Sequence, residues 1–164
     1  MIELRLRDAA LVFDWTLQFA RAETAAAYEY WNSCRGARAM PSRSDLKPTE
    51  MRKFTEHVGL VEVRHETDGQ AGYFIRRAGG KWEEVFGPMT GRYIQEFLPP
   101  QIEMRWREAL GAVCESKAPV RITTRIQFQQ KNWLKAELFI APLGEEEISM
   151  LLTTFVSWSQ RDTI

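Results

Sequence analysis

The sequence predicts an α+β domain in which one antiparallel sheet is covered by helices. Three observations carry this. Residues 120–158 alternate in the manner of three consecutive strands with short connections, which form a meander. Residues 58–78 hold an earlier pair of strands. Between the groups lies a helix opened by Pro99-Pro100 and ended by Pro119. Strands at both ends with helices between them pack as one sheet with the helices against it.

Taken in order, residues from about Ala9 to Cys34 are expected to be helical. Val12, Trp15, Phe19, Ala22 and Ala26 recur at three- and four-residue spacing, while Thr24, Tyr28 and Trp31 make a second, more aromatic stripe. Gly36 is the expected stop. A helix at the edge of a small domain needs only one apolar face, so the second points to a homodimer contact; Trp15, Phe19, Tyr28 and Trp31 are its candidates. The segment Arg35–Pro48, with two prolines and several turn formers, reads as a loop. A short helix from Pro48 to Thr55 follows it.

Val58–Val63 and Tyr73–Ala78 read as paired strands joined by the turn residues Glu66–Gln70. Gly79-Gly80 ends the second strand. Short helical pieces are expected at Trp82–Phe86 and Gly91–Phe97. In the long helix, Ile102, Trp106, Ala109, Leu110 and Val113 mark the buried face. Val120, Ile122, Thr124, Ile126 and Phe128 then alternate with polar residues, as do Leu134, Ala136, Leu138 and Ile140. Leu143–Glu146 is a turn, and Ser149–Trp158 the last strand. The expected division is a helical extension and loop over residues 1–55 and a sheet-bearing core over 56–160, within one domain.

Composition bounds the function. The 164 residues fit one domain large enough to bury roughly 70% of its unfolded surface without staples. Six Trp, nine Phe and four Tyr call for a thick core or an aromatic-lined cavity. The 22 basic residues balance the 22 acidic ones, which argues against general nucleic-acid binding because that needs a positive surface. Two distant cysteines, Cys34 and Cys114, are no disulfide framework and suit a reducing compartment. There is no apolar run of the roughly 20 residues a span requires. Met1–Arg7 lacks the pattern of a secretory leader, so a cytoplasmic location is expected.

The motifs sharpen the expectation. Trp31, Arg35-Gly36, the run Pro41-Ser42-Arg43-Ser44-Asp45-Leu46-Lys47-Pro48, Phe86-Gly87, Thr90-Gly91-Arg92 and Trp106 occur in the order seen in a bacterial PAS family often found as single-domain proteins. The sequence resembles that family from about Trp31 to Trp158. Gly80 stands where the family has Thr, and Arg77 where it has an aliphatic residue. The resemblance implies a signal-transduction module on a five-stranded antiparallel sheet in the order 2-1-5-4-3, covered by short helices. Such a module senses a small ligand or mediates regulated protein contacts.

Catalytic and cofactor chemistry find little support. His57 and His65 stand at opposite ends of one strand, and no phosphate-binding loop, nucleophile elbow or zinc-helix motif occurs. Cys34, Cys114, His57 and His65 lack metal-ligand spacing, so no metal site is assigned. Asn32-Ser33-Cys34-Arg35 is not the Asn-Cys-Arg of flavin-binding PAS domains, since a serine splits it and it precedes the first strand of the pair. Trp82–Lys117 contains no histidine to hold a haem. No cofactor is therefore named, and an enzyme is not expected.

The pocket candidates are Phe74, Arg76, Trp82, Phe86, Trp106, Leu110 and Phe155. Arg76 shares its strand side with Phe74 and Ala78 and so points inward, where its planar fork would grip a carboxylate or phosphate. Arg43 is a candidate partner contact in a loop that otherwise serves to fix the first helix. Two alternatives stand beside the sensory reading. One is a small-molecule enzyme on a cone-shaped, ketosteroid-isomerase-like fold, which would need an acid or base inside the cone. The other is an interaction adaptor with a filled core.

Overall fold

The structure, a computed structural model, describes residues 10–65, 69–128 and 132–159. The elements run β1 (Val12–Asp14), α1 (Ala22–Arg35), three single-turn 3₁₀ helices (Arg43–Asp45, Pro48–Met51, Thr55–His57), β2 (Val58–His65) and β3 (Ala71–Ala78). Then come α2 (Gly80–Phe86), α3 (Ile94–Phe97), α4 (Pro100–Ser116), β4 (Val120–Phe128), β5 (Asn132–Gly144) and β6 (Ile148–Ser159). Met1–Arg7 and part of the expected Glu66–Gln70 turn fall outside the described residues.

All six strands form one antiparallel sheet in the order β1-β4-β5-β6-β2-β3. Without β1 this is the expected 2-1-5-4-3 arrangement, so the fold is α+β as the pattern required. The short β1 is an addition at the outer edge, where Val12, Phe13 and Asp14 pair with Thr123, Ile122 and Arg121.

The helix expected from Ala9 therefore begins only at Ala22. The carboxylate of Asp14 accepts the backbone N–H of Thr16 at 2.9 Å and of Gln18 at 3.0 Å, a local turn that competes with helix. Leu17 sits at φ 61°, a left-handed conformation that no helix interior accommodates. The three- and four-residue spacing of Val12, Trp15 and Phe19 was coincidental to an edge strand and a turn.

Alternation along the central strands buries both faces of the sheet. On one face, Val61 of β2, Ile140 of β5 and Leu151 and Phe155 of β6 join α2–α4 in a core with Trp82, Ile94, Leu110 and Val113. On the other, Leu60, Phe139, Ala141 and Leu152 meet α1 and the 3₁₀ segments through Ala27, Trp31, Leu46, Met51 and Phe54. Helices were expected on one face only. The aromatic stripe of α1 supplies the second layer instead of an outward contact.

A buried carboxylate fixes α1 to the sheet. Glu137 of β5 is fully buried. It accepts the backbone N–H groups of Ala20 (2.8 Å) and Arg21 (3.0 Å), a hydrogen bond from the hydroxyl of Thr24, and Nε of Arg121 on β4 (2.7 Å). These donors include backbone groups that precede the first helical turn and have no intrahelical partner. The negative charge also suits the helix N-terminus. Arg121 reaches Asp14 at 3.2 Å as well, so β1, β4, β5 and the start of α1 meet at one ion pair.

Candidate functional site

A cavity of about 480 Å³ lies between the sheet and α2–α4. Its inner wall is a cluster of rings. Trp82 of α2 stands 4.7 Å from Phe155 and 5.4 Å from Trp106 between ring centroids, and Phe86 lies 4.9 Å from Trp106, edge to face. These are the preferred offset and T-shaped arrangements of aromatic pairs. Trp82 is anchored by its Nε1–H, which donates to the carbonyl of His57 at 2.8 Å.

Gly59 makes room for that indole. A Cβ at this position would lie 2.6 Å from Thr153 Oγ1 and 3.3 Å from Trp82 Nε1. Thr153 in turn donates its hydroxyl to the Gly59 carbonyl at 2.8 Å, so both small residues are committed under the ring. The cavity exists because Gly59, Val61, Ala109 and Thr153 are too small to fill the space that the aromatic rim encloses.

Of the sequence-predicted pocket residues, Trp82, Phe86, Trp106, Leu110 and Phe155 line this cavity. Phe74 and Arg76 do not. The β2–β3 register passes from Leu60↔Arg77 to Val61↔Ile75, leaving Arg76 as the extra residue of a bulge. Arg76 and Arg77 are consequently both exposed, while Ile75 and Tyr73 face the core. Phe74 lies on the opposite side of the strand, edge to face with Tyr93 at 5.3 Å and under the guanidinium of Arg64 at 3.8 Å. An uninterrupted period of two had suggested an inward Arg76, and the bulge breaks that period.

Gly59, Gln101, Ile102, Arg105, Ile122 and Leu138 line the cavity and were not singled out from sequence as pocket residues. For Gly59 the available signal was a glycine inside a strand, which marks a close approach. The described lining residues include no Asp, Glu, His or Lys. Nearby, burial raises the phenol of Tyr73 to about 12 and pushes the Cys114 thiol up, so neither is ionised at neutral pH. Both cysteines are free.

The contact candidates are scattered. Trp31 is buried, its Nε1–H bonded to the carbonyl of Pro142 at 2.9 Å. Phe19 and Tyr28 pack on Phe139 with centroids 5.6 and 5.7 Å apart. These three residues belong to the inner layer, which corrects the expectation that α1 turns an aromatic face outward. Trp15 alone of the four is exposed, beside the exposed Val12 of β1. Arg43 donates to the carbonyl of Leu46, within a loop whose Asp45 accepts from Ser42 and pairs with Arg38 at 2.8 Å. No group of metal-ligating side chains occurs among the described residues, and no helix among them is long and apolar enough to cross a membrane.

A two-faced antiparallel sheet with short helices roofing a small-molecule cavity defines a sensory class of α+β domain. The chain belongs to the PAS-domain family, whose profile matches residues 19–154. Among solved structures it is similar to an RNA-binding light-oxygen-voltage receptor, at 16% identity and a TM-score of 0.45. That alignment covers 74% of this chain and only 37% of the receptor's. No curated protein matches the sequence.

Proposed function

We propose that this chain is a PAS-type sensory or regulatory module whose input is occupancy of the cavity by a small molecule with an apolar body. The observation that carries this reading is the cavity itself. At about 480 Å³ it falls within the range that encloses drug-sized ligands, and apolar and aromatic side chains dominate its wall. A core built only for stability would close such a space, because unfilled volume forfeits packing contacts. The isomerase-like alternative is disfavoured by the lining, which offers no carboxylate or imidazole to move a proton. The filled-core adaptor is disfavoured by the cavity.

The test uses native mass spectrometry of the protein as isolated, together with a fluorescence titration with N-phenyl-1-naphthylamine, a neutral aromatic probe. The expected outcome is a small-molecule adduct or saturable probe binding at one site. The binding should be lost in Leu110→Trp, which fills the cavity. A protein with neither an adduct nor saturable binding would return the module to a pure contact role.

A further inference from the structure

The charges bordering the cavity are one-sided. Arg105 of α4 and Arg125 of β4 line it, and no aspartate or glutamate does so among the described residues, although the chain as a whole is neutral. Alternation along β4 turns Ile122, Thr124 and Ile126 to the cavity side and assigns Arg125 to the other face, with Arg121. Arg105 is different. It is half-buried and lies four residues after the exposed Gln101, so the two side chains flank the α4 stripe of Ile102, Trp106 and Ala109 at the mouth. The cavity's own hydroxyls are engaged elsewhere, Thr153 with the Gly59 carbonyl and Thr124 with the carbonyl of Ala10 at 3.2 Å. The polar recognition left to a ligand is thus a guanidinium and an amide at one end of an apolar chamber.

We infer that the ligand is a carboxylate with an apolar or aromatic body, its head held by Arg105 and Gln101 and its body against Trp82, Phe86 and Trp106. This rests on the reading of the cavity as a ligand site and adds the ligand's chemical class. A planar guanidinium matches a carboxylate with paired hydrogen bonds, which are stronger than those to a neutral hydroxyl. The indole and phenyl walls offer nothing to a second charge, so a cationic or doubly charged molecule is excluded by desolvation.

The experiment separates the two levels. With N-phenyl-1-naphthylamine bound as reporter, the protein is titrated with decanoate, decan-1-ol and decylammonium, which share a tail and differ in head charge. Decanoate is expected to displace the reporter at about a tenfold lower concentration than decanol, as a charge-assisted hydrogen bond outweighs a neutral one by about that factor. Decylammonium should be weakest. Arg105→Gln should bind the reporter as the parent does and lose the decanoate preference; Arg105→Lys should retain most of it, and Arg125→Gln all of it. Reporter binding with decanoate no better than decanol overturns the carboxylate assignment and leaves the cavity reading standing. So does a preference that survives Arg105→Gln. Failure of the reporter to bind a protein that carries no adduct overturns both.

Discussion

The two faces of the sheet are made by the same strands and end in opposite states. On the α1 face large residues meet large ones. Phe139 lies at the centre of a ring formed by Phe19, Tyr28 and Trp31, all within 6.3 Å between centroids. On the opposite face the aromatics stand at the rim, and Gly59, Ala109 and Thr153 leave the centre open. Moving one residue along β2, from Leu60 to Gly59 or Val61, passes from the packed layer to the chamber. The comparison teaches that hydrophobicity alone does not distinguish a core from a site. The distinction lies in whether the small residues of one layer face bulky residues or one another.

The largest expected effect falls on the packed face, at its one buried ion pair. Glu137→Leu removes a carboxylate that is fully buried and leaves Arg121 and the N–H groups of Ala20 and Arg21 without their acceptor. Removal of one partner of a buried pair costs about 3–5 kcal/mol. A shift of that size should appear in the urea midpoint, and adding Arg121→Met should recover part of it. A loss under about 1 kcal/mol would mean that α1 is held by its apolar contacts alone.

An intermediate effect sets the faces directly against each other. Ala141 is buried in the α1 layer, and Ala109 borders the cavity. Enlarging each to leucine makes the same chemical change in two environments. Ala141→Leu should overpack and destabilise by about 1–3 kcal/mol. Ala109→Leu should stay within about 1 kcal/mol of the parent, since it grows into open space, while weakening probe binding at least several-fold. Equal destabilisation by the two substitutions would show that the cavity does not yield the space its volume implies.

Much of this was legible in the sequence, for identifiable reasons. The meander of β4–β6 and the helix α4 follow from uninterrupted periodicity bounded by Pro99-Pro100 and Pro119, and five of the seven pocket candidates sit on elements found that way. The errors occurred where a single residue breaks a period. Leu17 takes a left-handed conformation with no glycine to announce it, so a strand and turn were merged into α1. The bulge at Arg76 reverses the facing of one strand end. The α1 stripe was read as an outward face because sequence gives a helix's apolar sides but not how many layers press on them. Arg105 was invisible as a site residue because an arginine on the flank of an amphipathic stripe is the commonest arrangement of a solvated helix.

The smallest expected effect concerns β1, the edge that ties α1 to the cavity-bearing strand β4. Its Asp14 carboxyl is held at about 2, first by the hydroxyl of Thr16, then by the N–H of Gln18, with Arg121 contributing. A carboxyl whose folded value lies below its ordinary 3.8 binds its proton more readily when unfolded. Its contribution to stability is therefore fully present above about pH 5 and disappears as the pH falls through 4 toward 2. Asp14→Asn should lower the urea midpoint slightly at pH 7. The gap between variant and parent should narrow on acidification and close near pH 2. Exposure keeps the effect small, since solvent screens such contacts. A gap that stays constant from pH 7 to pH 2 would mean that Asp14 serves only as a neutral turn former, and that the tie between β1 and β4 resides in the strand pairing of Val12–Asp14 rather than in charge.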